Sequence, residues 1–539
     1  MPLSTYIVNA MLSIEKRLLQ TSAEKHWKKI GIRHHHGINI PLFSLHSQTG
    51  SGIGEFMDLL PLIPWCQKIG LNIIQLLPLN DTGKDTSPYG AISAFALNPI
   101  YLSLAHLPFL ERFPDLQEIL KGINSHPFTQ RIDYTGVSQN KENFLRAYFQ
   151  KAAPLIIPGL EYSQFIQENA FWLKGFVLFK SLKTAHSWEP WEKWEPELQN
   201  PSEDAYENLF KKFEPEINYH SIIQYLCFQQ LRKVKAYANT HGVLLKGDIP
   251  ILINRDSADV WQHRSLFQME YSAGAPPDMY SQEGQNWGFP IYNWEELEKQ
   301  DYHWWKLRLK VASLFYDIYR IDHIVGFFRI WAIPLGLPGK EGKFTPENQA
   351  LSIPQGTKIL QMMLESSPML PIGEDLGTVP PEIRVAMRSL GICGTAVMRW
   401  ERFWNEDKRF LKPNDYQVES MTTVSTHDSE TLAVWWESFP EDAREYSRGK
   451  DWVFTYELDK KHQYEILWDS HHTASLFHIN LLNEYLALIP GMTWFDSIDE
   501  RINIPGVVSP RNWTYRFKPS VEEIVSHEAL YLLLCSLIS

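Results

Sequence analysis

Eight short apolar runs, separated by segments with helical patterning, constrain this chain more than any other feature. They are Gly37–Leu45, Asn72–Leu79, Gly242–Pro250, the run Leu314–Tyr316 leading into Tyr319–Asp322, Pro368–Leu376, Thr395–Met398, Met421–Asp428, and a last candidate leading into Arg501–Gly506. Runs that are mostly apolar rather than alternating belong to strands covered on both faces, as in a parallel sheet. The first three elements read as strand, helix (Glu55–Ile69) and strand, the opening of a right-handed β-α-β unit, with Pro61 and Pro64 predicting a kink or a broken first half of the helix. Eight such strands interleaved with helices predict an α/β fold, a (β/α)8 TIM barrel.

In such a barrel the loops at the C-terminal strand ends carry the chemistry. Three of the predicted strands end in acids: Arg320-Ile321-Asp322-His323, Gly373-Glu374-Asp375, and Thr426-His427-Asp428. One acid at a strand end is equally well read as a cap or an ion pair; three in matching settings form a pattern. Arg320 and Asp322, two apart on a strand, point to the same face, where the guanidinium favours an ionised Asp322, as a nucleophile requires. Retaining glycosidic cleavage needs a carboxylate nucleophile and a protonated carboxylic acid about 5 to 5.5 Å apart. Asp322 is accordingly expected to be the nucleophile and Glu374 the acid/base, with a raised pKa. Asp428, beside His427, is expected to hold sugar hydroxyls as the ring distorts. Asp375 points to the other face and reads as structural.

Between about 110 and 238 charged and aromatic residues recur at three and four, broken by prolines, which predicts a helical insertion on the barrel. Residues 270–292, dense in Gly, Pro and Trp, predict a long ordered active-site loop. The expected organisation is an N-terminal extension, 1–36, followed by a catalytic barrel, 37–539. Trp304 and Trp305 fall in a helical stretch and read as core. Tyr89, in the small and polar loop 85–99, either meets a ligand or packs.

A net charge of −12 offers no basic footprint for nucleic acid. No apolar run reaches the 18 residues that suggest a membrane span, and residues 1–20 lack the pattern of a secretory signal. Cys66, Cys227, Cys393 and Cys535 lie far apart with no CxxC, as expected of free thiols in the cytoplasm. The adjacent imidazoles of His34-His35-His36 do not converge on one tetrahedral ion, so no metal site is expected there.

The acid motifs, together with Gly247-Asp248-Ile249-Pro250, resemble signature regions of the 4-α-glucanotransferases, the amylomaltase or disproportionating-enzyme family, glycoside hydrolase family 77. Ser87-Pro88-Tyr89, Gly274-Ala275-Pro276-Pro277-Asp278, Gly284-Gln285-Asn286-Trp287-Gly288 and Asn503-Ile504-Pro505-Gly506 look like family positions too. In wording, Ile324–Trp331 and Gln285–Pro290 are most similar to the plant cytosolic disproportionating enzyme. The resemblance implies Asp322 as nucleophile, Glu374 as acid/base and Asp428 as transition-state stabiliser. It also implies that Asp248, Arg320, His427, Gln285, Trp287 and Asn503 contact the sugars, with Ser87 and Tyr89 close by and Asp278 and His323 in the same motifs. The implied partners are α-1,4-glucans: maltose, maltooligosaccharides and glycogen. No metal or organic cofactor is implied. After Asp428 the chain reads Ser429-Glu430-Thr431, where many family members have Asn-Asp-Thr. Two competing readings are an α-amylase-like hydrolase with the same acids and a glucan-binding protein without catalysis.

Overall fold

The structure, a computed structural model, describes residues 13–124, 129–277 and 281–539. Eight parallel strands form its centre: β1 (His35–Ile40), β2 (Ile73–Leu76), β3 (Leu244–Ile249), β4 (Ile318–Ile321), β5 (Leu370–Gly373), β6 (Gly394–Val397), β7 (Ser420–Thr423) and β8 (Phe477–Leu481). They hydrogen-bond in the order β5-β4-β3-β2-β1-β8-β7-β6. A single parallel bridge, Ile372 to Cys393, joins the two edges, with the Gly373 N–H donating to the Cys393 carbonyl at 2.8 Å. The sheet thereby closes into a (β/α)8 barrel, and edge strands that would otherwise present unpaired backbone are removed.

Seven of the eight predicted strands lie within or beside the expected runs. The eighth does not: residues 501–504 have no regular structure, and the barrel is completed by Phe477–Leu481. That strand alternates Phe, His, Ile, Asn and Leu, so it resembles a half-exposed strand although every residue is buried. His478 and Asn480 are satisfied internally, His478 Nδ1 lying 2.8 Å from the Ser470 carbonyl and Asn480 accepting from the Val424 N–H at 2.8 Å. Burial of polar groups that find partners costs little, and it hides the strand from a hydrophobicity reading.

The first crossover behaves as the prolines require. Phe56–Asp58 is a 3-10 turn and the α-helix α1 runs Leu59–Ile69, so Pro61 sits in the first turn, where its missing N–H has no partner to lose. The predicted insertion is helical, with α2 (Tyr134–Ile156), α3 (Leu160–Ala185) and α4 (Glu214–Thr240), the last running directly into β3. Buried Lys141 on α2 pins it to the barrel: its ammonium reaches Glu55 at 2.8 Å and the carbonyls of Ile100 and Leu102 at 2.6 and 2.8 Å. Trp304 and Trp305 are core residues. At the N-terminal side, β1 begins at His35, and helix Glu24–Ile30 packs on the barrel with the Trp27 indole N–H donating to the Gly391 carbonyl at 2.9 Å.

The 270–292 segment is more regular than its composition predicts. Tyr271–Ala275 and Gln285–Asn286 pair as antiparallel strands, joined by Ile330–Pro334 and Lys343–Thr345 in a four-stranded sheet. Glycine permits this: a Cβ at Gly274 would lie 1.9 Å from the Gln285 carbonyl oxygen.

Candidate active site

Asp322 and Glu374 follow β4 and β5, neighbouring strands in which Ile321 pairs with Gly373. The two carboxylates therefore emerge side by side, and one guanidinium reaches both: Arg320 Nη1 lies 2.8 Å from Asp322 Oδ1 and Nη2 lies 3.8 Å from Glu374 Oε2. The same Arg320 pairs with Asp248 on β3, directly across the register, at 2.9 Å. Three carboxylates thus share one buried cation. The chain turns sharply after β4 because His323 adopts the left-handed conformation, φ +49°. This strained turn, unusual for a residue with a Cβ, aims the His323 N–H at Glu374 Oε2, 2.9 Å away. The Leu376 N–H donates to the other oxygen at 2.9 Å.

The sharing decides the protonation. Burial pushes Asp322 up, and Arg320 only partly offsets this because Asp248 and Glu374 add negative charge; the result is about 6. Arg320 does favour the Asp322 anion, as expected, but burial and the two neighbouring carboxylates that share the guanidinium outweigh it. A quarter of the Asp322 side chain stays open to the cleft, and at neutral pH the group is ionised. Glu374 is raised by burial, against the pull of Arg320 and its two N–H donors. Its looser approach to Arg320 makes it the better place for a proton.

Opposite these acids, Tyr89 donates its hydroxyl hydrogen to Asp248 Oδ2 at 2.8 Å, while His427 Nε2 lies 2.9 Å from that hydroxyl and 3.3 Å from Asp428 Oδ2. Asn503 donates to Asp428 Oδ1 at 2.7 Å. Burial works to raise Asp428, but the charge of His427 and the hydrogen bonds of His427 and Asn503 outweigh it and hold the acid at about 2. Tyr89 also packs, its ring stacked on His427 and tilted against Trp513.

Trp287 brings the 270–292 segment onto the site. Its ring meets His323 edge-on at 5.1 Å between centroids, and its indole N–H donates to Gln285 Oε1 at 3.1 Å. Ser87 sits lower in its turn, its hydroxyl accepting from the Tyr89 N–H at 3.3 Å. Asp278 lies outside the described residues. Asp375 pairs with Arg384 at 2.8 Å, in the structural role expected of it.

Two groups, Trp513 and Lys246, escaped the sequence reading, and Glu430 was noted there without a partner. Trp513, left-handed at φ +63°, backs both Tyr89 and His427. Glu430 takes Arg501 at 2.7 Å and so ties the Asn503 segment to the Asp428 segment. Lys246 lies buried on β3 two residues before Asp248, its ammonium 2.6 Å from Gln75 Oε1, and burial followed by Arg320 pushes it down to about 7. Only a lysine inside an apolar run, at Leu244-Leu245-Lys246, could have signalled it.

Eight parallel strands with an acid-lined mouth define a (β/α)8-barrel protein of the carbohydrate-processing kind. A family model described as 4-alpha-glucanotransferase, glycoside hydrolase family 77, matches residues 40–522, and the chain belongs to that family. A 4-alpha-glucanotransferase from Chlamydia pneumoniae is 47% identical over 503 residues, covering 93% of this chain and 95% of that protein. The 4-alpha-glucanotransferase DPE2 of Oryza sativa subsp. japonica is 36% identical over 320 residues, 58% of this chain and 34% of that longer protein. Among solved structures, an amylomaltase from Streptococcus agalactiae in complex with acarbose superposes with a TM-score of 0.81 at 24% identity, covering 94% of this chain and 99% of that one, which bears on the fold. No described helix is long and apolar enough to cross a membrane.

Proposed function

We propose that this chain moves glucosyl or maltooligosaccharyl units between α-1,4-glucans by a retaining double displacement. The observation that supports it most is the emergence of Asp322 and Glu374 from adjacent strands beneath one shared guanidinium. Asp322 attacks the anomeric carbon while Glu374 gives its proton to the departing 4-oxygen, leaving a glycosyl ester on Asp322 and a shortened glucan. Glu374, now ionised, takes the proton of an acceptor 4-hydroxyl. That oxygen attacks the anomeric carbon, the ester bond to Asp322 breaks, and the configuration is restored. Asp428, held anionic by His427 and Asn503, binds ring hydroxyls and tightens its grip as the ring flattens. Asp248, Arg320, Tyr89, His427, Gln285, Trp287, His323 and Asn503, with Ser87 beside Tyr89, form the sugar-binding surface. The bonds balance without a metal or an organic cofactor.

Transfer outruns hydrolysis when the ester is kept from water and the acceptor is held well. Trp287 over His323 supports that reading. Maltose, maltooligosaccharides and glycogen are the proposed partners, and four free thiols fit a cytoplasmic setting. Incubation with maltotriose tests it: a ladder of longer oligosaccharides is expected, and only glucose and maltose would mean hydrolysis. Asp322→Asn is expected to lower the rate by at least about 10³-fold; a variant that still builds the ladder overturns the assignment.

A further inference from the structure

Among the described residues, Lys246 is the one buried lysine with no carboxylate to pair with. Lys141, Lys180, Lys183 and Lys235 each meet one: Glu55, Asp81, Asp256 and Asp317. Lys246 is sealed from solvent, yet its ammonium finds only the amide oxygen of Gln75 at 2.6 Å and the thioether of Met421 at 3.3 Å. Gln75 lies on the neighbouring strand β2. Met421 lies on β7, four places round the ring from β3, so the side chain spans the bore of the barrel. A methionine or leucine would fill that space at less cost, because a buried charge without a counter-charge is expensive to hold.

What stands above the ammonium gives its charge a use. Lys246 and Asp248 are two apart on β3 and both face the bore, and the register sets Asp248 against Arg320 and Lys246 against Ile318, one layer lower. With Glu374 protonated, the acid cluster holds two anions, Asp248 and Asp322, against the single guanidinium of Arg320. A charged Lys246 is the missing second cation. Burial pushes Lys246 down to about 7, with Arg320 adding to the push and Asp248 opposing it, so the ammonium is present where Asp322 titrates, at about 6. The other titratable groups turned into the bore carry no free charge. Burial holds His35 on β1 down at about 4 and the Cys393 thiol well above its ordinary value, so both are neutral, and Glu419, a layer below Met421, is taken by Arg17.

We infer that Lys246 is a positioning residue of the active site: its ammonium is the second cation of the acid cluster, held beneath Asp248 so that Arg320 stays available to Asp322 and Glu374. The inference rests on the roles proposed above for those acids. Without that charge Asp248 draws harder on Arg320, Asp322 keeps less of it, and the pH at which Asp322 ionises rises.

The test uses the full chain and two readouts. The first needs no turnover. In protein carrying lysine labelled with carbon-13, the Lys246 NMR signal, assigned by its absence from Lys246→Met, is expected to titrate near 7. In Asp248→Asn it should titrate at least about half a pH unit lower, because the carboxylate that favours the ammonium is gone. A signal indifferent to Asp248→Asn overturns the inference. The second readout is the pH dependence of kcat/KM for maltotriose consumption. Lys246→Met is expected to move the acid limb up by at least about half a pH unit, and by much less in an Asp248→Asn background. A lysine that merely fills the bore would lower the rate or the Tm and leave the limb in place. An unmoved limb, or equal movement in both backgrounds, overturns the inference. Should Lys246→Met fail to fold, Gln75→Glu decides: it keeps the lysine, offsets its charge with a carboxylate at the same contact, and should move both the limb and the Lys246 titration up. Consumption counts transfer and hydrolysis alike. Glucose and maltose as the only products therefore break the transfer reading and leave the limb readable, whereas a full ladder with an unmoved limb breaks this inference alone.

Discussion

Arg320 illustrates how a single side chain sets the working state of its neighbours. Because it serves Asp248, Asp322 and Glu374 together, the charge on any one of them is felt by the other two. In the proposed double displacement Asp322 attacks as the anion, so kcat/KM is expected to fall as pH drops through about 6. Asp248 holds Asp322 up, and Asp248→Asn removes that charge while freeing Arg320 for Asp322. The acid limb should therefore move to lower pH, whatever happens to the maximal rate; a limb that stays or rises in a pH–rate series contradicts the shared-cation account. At this scale the sequence was informative about position, since Asp322 and Glu374 each close an apolar run and stand at the ends of adjacent strands. It said nothing of the sharing, because Asp248 and Arg320 lie 72 residues apart and meet only through the β3–β4 register.

Elements rather than residues decide access to the site. The hairpin pairing of Tyr271–Ala275 with Gln285–Asn286 exists because Gly274 lets Gln285 approach, and it carries Trp287 onto His323. Gly274→Val forces the two backbones apart where neither is a flexible side chain, so the hairpin rather than the barrel should yield. Far-UV circular dichroism is expected to stay as it is while kcat/KM for maltotriose falls at least about tenfold, in keeping with the cost of misplacing positioning groups. Equal loss of both signals would mean that the hairpin supports the barrel. Glycine and proline density announced an ordered loop here but not its strands, since two-residue pairings carry no periodicity. The same blindness explains the missed β8, where His478 and Asn480 mask a buried strand, and the misread 501–504 segment, where Ile502 and Ile504 imitate one.

Seen whole, the molecule keeps its chemistry at one end of the barrel and an imidazole cluster at the other. His35 and His36 enter β1 beside His478 of β8, with His471 3.0 Å from His36 between their Nδ1 atoms. Burial pushes His35 and His36 down to about 4 and His478 to about 3, with His471 also well below its ordinary value. These groups are neutral when folded and take up protons on unfolding below about 6.5. Their contribution is therefore complete above that pH and is lost as pH falls toward 4, at about 3 kcal/mol for a buried imidazole shifted this far. Tm should drop across that window, and His478→Gln should flatten the slope; an unchanged slope would place the acid sensitivity elsewhere. The triplet His34-His35-His36 stood out in the sequence, whereas its partners 435 and more residues away did not.

The lone bridge between β5 and β6 has a consequence of its own. Seven of the eight joints in the wall are extended ladders, and this one, next to Glu374, hangs on Ile372 and Cys393. Breathing of the cylinder should begin there, and the Cys393 thiol, sealed from solvent at rest, serves as a native gauge of it. Under mild denaturant, alkylation followed by peptide mapping should modify half-exposed Cys535 first and Cys393 ahead of Cys66 and Cys227, so that the enzyme's weakest stave can be timed without introducing a label.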